Sequence, residues 1–152
     1  MPDVINMKGE PVKHKYKTSL RWTGEKKGIL SCDGKPDVDV ACPPEFGGHP
    51  DIWSPEDIFL ASVEICTMTT LLWLTNRENI ILKSYGSKAD GTVEISGGAL
   101  QFKSIKIKVK IDVSSKDDCM RVQDLLKKVE RTCLIFNSIK TDICIEPSIT
   151  FD

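Results

Sequence analysis

The chain has 152 residues, room for one domain of common size and not for a second of equal size. Its 40% hydrophobic and 28% charged residues give the usual globular balance, which excludes disordered, collagen-like and low-complexity classes. With 21 Lys and Arg against 22 Asp and Glu the formal charge is -1, so no global field favours a polyanion and nucleic-acid binding is not expected.

The opening MPDVINMKGEPVKHK lacks the apolar stretch of a secretory signal, which predicts a cytoplasmic protein with residues 1–13 as a loosely ordered lead. Six cysteines in that compartment suit free, catalytic or metal-binding thiols better than a disulfide framework. Their separations of 10, 24, 53, 14 and 11 residues contain no CxxC pair, which excludes a zinc ribbon or a thioredoxin-type motif. His14 and His49 are the only histidines, and no metal-ligand spacing joins them to the cysteines, so no metal or other cofactor is expected.

In chain order, His14, Tyr16, Thr18, Leu20 and Trp22 alternate with Lys13, Lys15, Lys17, Ser19 and Arg21, the period of a strand with one buried face. TGEKKG reads as a hairpin loop, and short strands fit Gly28 to Cys32 and Asp37 to Ala41 across the turn DGKP. The Pro- and Gly-rich run Cys42 to Ser54 leads into a helix. Ser54 is its N-cap, Pro55 its first residue, and Asp57 completes a capping-box-like spacing. From Ile58 to Leu74 nearly every position is apolar, which predicts a helix buried on all sides. Glu64 and several threonines interrupt the run, so a membrane span is not expected.

Ile80 to Ile95 forms an irregular strand, SGGA a turn, and Ile105, Ile107, Val109, Ile111 and Val113 alternate with Lys106, Lys108, Lys110 and Asp112 as a second strand. The lysine stripe reads as a solvated strand face. Ser115 to Thr132 places Val122, Leu125, Leu126 and Val129 at helical spacing, with Cys119 and Cys133 extending the stripe at both ends. Ile143, Ile145, Ile149 and Phe151 mark a last strand. The order βββ-α-ββ-α-β, with strands in runs, predicts an α+β fold of antiparallel sheets around a buried central helix.

SPEDIFLASVEIC and ERTCLIFNS resemble the two cysteine motifs of the OsmC/Ohr family, osmotically inducible and organic hydroperoxide resistance proteins that act as thiol-dependent peroxidases. The hairpin TGEKKG, SCDG and the loop FGGHPDIWSPED fall in the family's order, so the resemblance covers the chain from about Lys17 onward and implies a single domain of this type over 1–152. It implies Cys66 as peroxidatic cysteine, Cys133 as resolving cysteine and Glu56 as a carboxylate organising the site. It further implies hydroperoxide as substrate, an external dithiol as reductant and a homodimer with sites at the subunit interface. The family's usual hairpin arginine corresponds here to Lys26, with Arg21 nearby, and its proline after the second cysteine to Leu134. Phe46, Ile52, Trp53 and Phe136 are pocket candidates by motif neighbourhood, while Cys32, Cys42, Cys119 and Cys144 are assigned no role.

One geometric constraint follows. Ten residues of continuous helix separate Glu56 from Cys66 by about 15 Å. If both serve one site, Glu56 comes from a partner subunit whose equivalent helix runs antiparallel. The alternative function is a dimer of the same fold without peroxidase activity, acting as a small-molecule binding or interaction module.

Overall fold

The computed structural model describes residues 13–152, so the expected loose lead over 1–13 lies outside the described residues apart from Lys13. Two compact units divide the chain between Ile58 and Phe59.

In the first unit, β1 (Ser19–Gly24), β2 (Lys27–Ser31) and β3 (Val38–Ala41) form an antiparallel sheet in the order β1-β2-β3. The turn between β1 and β2 holds Gly24 and Glu25 at positive φ, of 121° and 48°, and the irregular register of β1 lies beside it. β1 begins at Ser19 and not at His14. The buried face expected of it is also missing in a single copy, where Tyr16 is 86%, Leu20 67% and Trp22 74% exposed. Alternation marks a face that gains from burial; it does not supply the layer that covers it.

After β3 the chain enters a tight loop with a 3₁₀ turn at Pro44–Phe46. Gly48 is required there, since an added Cβ would lie 1.6 Å from the Cys42 carbonyl oxygen. The loop is closed by the Ala41 N–H on the Trp53 carbonyl at 2.9 Å and by the His49 N–H on the Cys42 carbonyl at 2.9 Å. It delivers Ser54 to the start of α1 (Pro55–Arg77). The expected capping box is present: the Asp57 N–H donates to Ser54 Oγ at 3.1 Å, and the Ser54 N–H donates back to Asp57 Oδ2 at 2.9 Å.

The other end of α1 closes in a Schellman motif. Asn79 adopts φ 54°, the Ile80 N–H reaches the Thr75 carbonyl at 2.9 Å, and the Asn79 N–H reaches the Asn76 carbonyl at 3.2 Å. Ile80 then buries its side chain in the core.

In the second unit, β4 (Leu82–Ser96) and β5 (Ala99–Val113) form a long antiparallel hairpin, turning on Gly97 and Gly98 at φ 62° and 84°. Ile105, Ile107, Val109, Ile111 and Val113 of β5 are buried, and the lysines between them are exposed, as the alternation predicts. α2 (Lys116–Thr132) starts at Ser115, whose Oγ accepts from the Asp118 N–H at 3.1 Å, and buries Val122, Leu125, Leu126 and Val129. β6 (Asp142–Phe151) completes the sheet in the order β4-β5-β6.

The pairing of β6 with β5 is parallel, which corrects the expectation of wholly antiparallel sheets. The reason is topological: a strand that returns beside its predecessor after a helical crossover runs in the same direction.

α1 is buried along one stripe only, through Val63, Thr67, Leu71 and Thr75, while Ile65 and Leu72 are exposed. The expectation of a helix buried on every side therefore fails within a single copy. Leu60 packs beside Gly91, where an added Cβ would come within 2.8 Å of it, and Glu64 Oε1 accepts from Ser87 Oγ of β4 at 2.6 Å. That bond accommodates the one carboxylate within the apolar run. With 23 residues α1 is long and apolar enough to cross a membrane, but Val63 and Leu71 belong to the same core cluster as β5 and α2.

Candidate active site

Cys66 lies half-buried midway along α1, and Cys133 is fully buried as the C-cap of α2. The position of Cys133 follows from local rules. Its N–H still bonds the Val129 carbonyl at 2.8 Å, but its ψ of 122° ends the helix, and its carbonyl then accepts from the Asn137 N–H at 3.1 Å. The chain folds directly into the 3₁₀ turn Phe136–Ser138.

Cys66 packs against the core cluster that contains Cys133, so the two thiols are neighbours. Burial first, and then the neighbouring Cys66 thiol, push the Cys133 thiol up from 9.0 to about 11, against the opposing pull of the Phe136 and Ile135 backbone. Cys133 thus keeps its proton where an ordinary thiol would start to lose it. On its other side, Cys66 Sγ lies 3.9 Å from Thr70 Oγ1. All six cysteines are free thiols. This arrangement places one half-exposed sulfur beside a second, buried sulfur that keeps its proton.

Glu56 is in the first turn of α1, and its Oε2 is buried without a hydrogen-bond partner among the described residues. A carboxylate oxygen in that condition calls for a donor. α1 is unbroken from Pro55 to Arg77, so the ten-residue spacing to Cys66 keeps its rise of about 15 Å along the axis. Lys26, at the position of the family arginine, directs its ammonium to the Phe46 carbonyl oxygen. Arg21 is an exposed residue of β1.

The pocket candidates separate. Ile52 and Trp53 line an open cleft of about 370 Å³ in the first unit with Pro50, Asp51 and Asp57, whereas Phe46 is 49% exposed outside that lining. Phe136 is half-buried beside Cys133. His49 Nε2 faces Glu25 at 3.4 Å, and His14 is exposed. Among the described residues, no three His, Cys, Asp or Glu side chains group so as to hold a metal ion. Sequence reasoning gave Thr70 no role, although its position four residues after Cys66 on a helix signals that the two side chains are neighbours.

The fold is α+β, with Cys66 and Cys133 neighbours in the core of the second unit. The chain matches the family described as OsmC-like protein over residues 48–148, about two-thirds of its length, and belongs to that family. It is similar to the uncharacterized protein YmaD of Bacillus subtilis (strain 168), with 22% identity over 135 residues, covering 86% of this chain and 89% of that protein.

Among solved structures, it resembles an OsmC-like protein of unknown function from Vibrio cholerae, with TM-score 0.83 and 17% identity over 90% of this chain and 100% of the other. It also resembles an organic hydroperoxide resistance protein from Elizabethkingia anophelis with thiocyanate bound, with TM-score 0.71 and 19% identity over 93% of this chain and 99% of the other. At these identities the structural likeness establishes the fold.

Proposed function

We propose that this chain is a cytoplasmic, homodimeric thiol-dependent peroxidase that reduces organic hydroperoxides or hydrogen peroxide. The observation that carries this reading is the half-buried Cys66 of α1 packed against the core cluster that contains the buried Cys133. The likeness to the Elizabethkingia anophelis structure, an organic hydroperoxide resistance protein, supports the same reaction class.

In this reading the Cys66 thiolate attacks one peroxide oxygen, the O–O bond breaks, and the alkoxide leaves as an alcohol after taking a proton. Cys66 becomes a sulfenic acid. The Cys133 sulfur then attacks the Cys66 sulfur, the S–O bond breaks, water leaves, and a Cys66–Cys133 disulfide forms before further oxidation. An external dithiol reduces that disulfide by exchange and becomes a disulfide itself. The unpartnered Oε2 of Glu56 and the exposed apolar residues of α1 and β1 support a dimer in which Glu56 of the partner subunit completes the site.

The test is peroxide consumption by the pre-reduced protein with excess dithiol, comparing cumene hydroperoxide with hydrogen peroxide. Wild type is expected to turn over and to show a Cys66–Cys133 disulfide by non-reducing peptide mass. Cys66→Ser is expected to abolish both. Absence of turnover and of that disulfide in wild type would refute the peroxidase and favour a binding module of the same fold.

A further inference from the structure

α1 carries Thr67, Thr69, Thr70 and Thr75. A helical threonine ordinarily satisfies its hydroxyl on the carbonyl three or four residues back. Three of the four do so: Thr67 donates to Val63 O at 2.8 Å, Thr69 to Ile65 O at 2.9 Å and Thr75 to Leu72 O at 3.1 Å. Thr70 is the exception. The carbonyl four residues before it, that of Cys66, receives Thr69 Oγ1 at 3.3 Å, and the Thr70 hydroxyl turns to Cys66 Sγ at 3.9 Å.

The thiol form of Cys66 can act as donor or acceptor in this contact, but a thiolate has no proton, so the hydroxyl must then donate. A hydrogen bond to an ionised acceptor is shorter and stronger than one to a neutral sulfur, so the 3.9 Å contact is expected to tighten on ionisation.

We propose that Thr70 is a positioning residue for Cys66: its hydroxyl, kept off the helix backbone, donates to the sulfur as the thiolate forms and fixes its side-chain rotamer. The sulfur would then hold a donor on its own helix, one turn away. This deepens the peroxidase reading, since it concerns the same attacking sulfur, but its test does not depend on turnover.

The experiment is pulsed alkylation of the reduced, full-length protein with iodoacetamide, from mildly acidic to strongly alkaline pH, with the Cys66 peptide quantified by mass. Removing one donor is expected to slow Cys66 alkylation near neutral pH about three- to tenfold in Thr70→Val and to move the midpoint of its profile to higher pH. The alkaline plateau should be unchanged, because the fully ionised sulfur is equally accessible. Thr70→Ser keeps the hydroxyl and should restore the wild-type profile. Thr75→Val, which loses only a bond to the Leu72 carbonyl, should leave the profile in place.

A Thr70→Val profile that superimposes on wild type in a folded protein would overturn the proposal. So would an equal displacement in Thr75→Val, which would make the effect one of helix packing. The two readings fail separately. A displaced profile in a protein that consumes no peroxide removes the peroxidase and leaves Thr70 in place, and turnover with a superimposed profile does the reverse.

Discussion

Ile65 gives the most direct test of the dimer. In a single copy its side chain is 57% exposed on an otherwise apolar helix, seven residues before Leu72, which is 43% exposed. Fully burying an isoleucine stabilises by about 1.5–3 kcal/mol, so covering the part left open contributes about 1–1.5 kcal/mol per copy. In an isologous interface every such contact occurs twice.

Ile65→Ala, which removes most of that apolar surface, is therefore expected to weaken association by about 2–3 kcal/mol, roughly 30- to 150-fold in dissociation constant. Analytical ultracentrifugation over a wide concentration series measures the constant, and circular dichroism checks that the variant is folded. Because Ile65 contributes little to the core of its own copy, the thermal midpoint at high dilution should barely move. An unchanged dissociation constant in the folded variant would refute the placement of this face in the interface, and a wild type that stays monomeric at all concentrations would refute the dimer.

Leu71, one residue before Leu72 but fully buried, should behave in the opposite way. Leu71→Ala opens a cavity in the core and is expected to cost about 2.7–5 kcal/mol, a fall in Tm of roughly 8–15 °C by calorimetry, at every protein concentration. Cys133 predicts an alkaline limb in stability. Its pKa is 9.0 in the unfolded chain and about 11 in the fold, so the unfolded state loses its proton first and binds fewer protons across that window. Its contribution is fully present below about pH 9 and is lost as pH rises to about 11, by roughly 2–3 kcal/mol. Urea unfolding at a series of pH values should show this loss in wild type and a flatter limb in Cys133→Ala.

Much of the fold was legible because its signals are local. The capping pair Ser54 and Asp57, the two-residue period of Ile105 to Val113, the helical stripe of Val122 to Val129 and the glycine turn at Gly97 and Gly98 each depend on residues close together in the chain. Three features were not. The parallel pairing of β6 depends on where the crossover through α2 returns the chain, and period alone carries no direction. The one-sided burial of α1 depends on which layer lies against it, and an all-apolar run looks the same whether its open side faces solvent or another subunit. The start of β1 at Ser19, despite alternation from His14, depends on how far its partner strand extends.

The candidate site divides along the same line. Sequence by itself, through motif order and spacing, singled out Cys66, Cys133 and Glu56 and fixed the helical rise between Glu56 and Cys66. Only the tertiary structure decided that Cys66 and Cys133, 67 residues apart, lie together in one core, that Lys26 spends its ammonium on the Phe46 carbonyl, and that Thr70 alone among the α1 threonines turns to the sulfur. Local structure follows from covalent geometry and neighbouring side chains within a few residues. Contact between distant residues, and the change in protonation that follows from it, arises only when the core has packed and water has been excluded from the thiol.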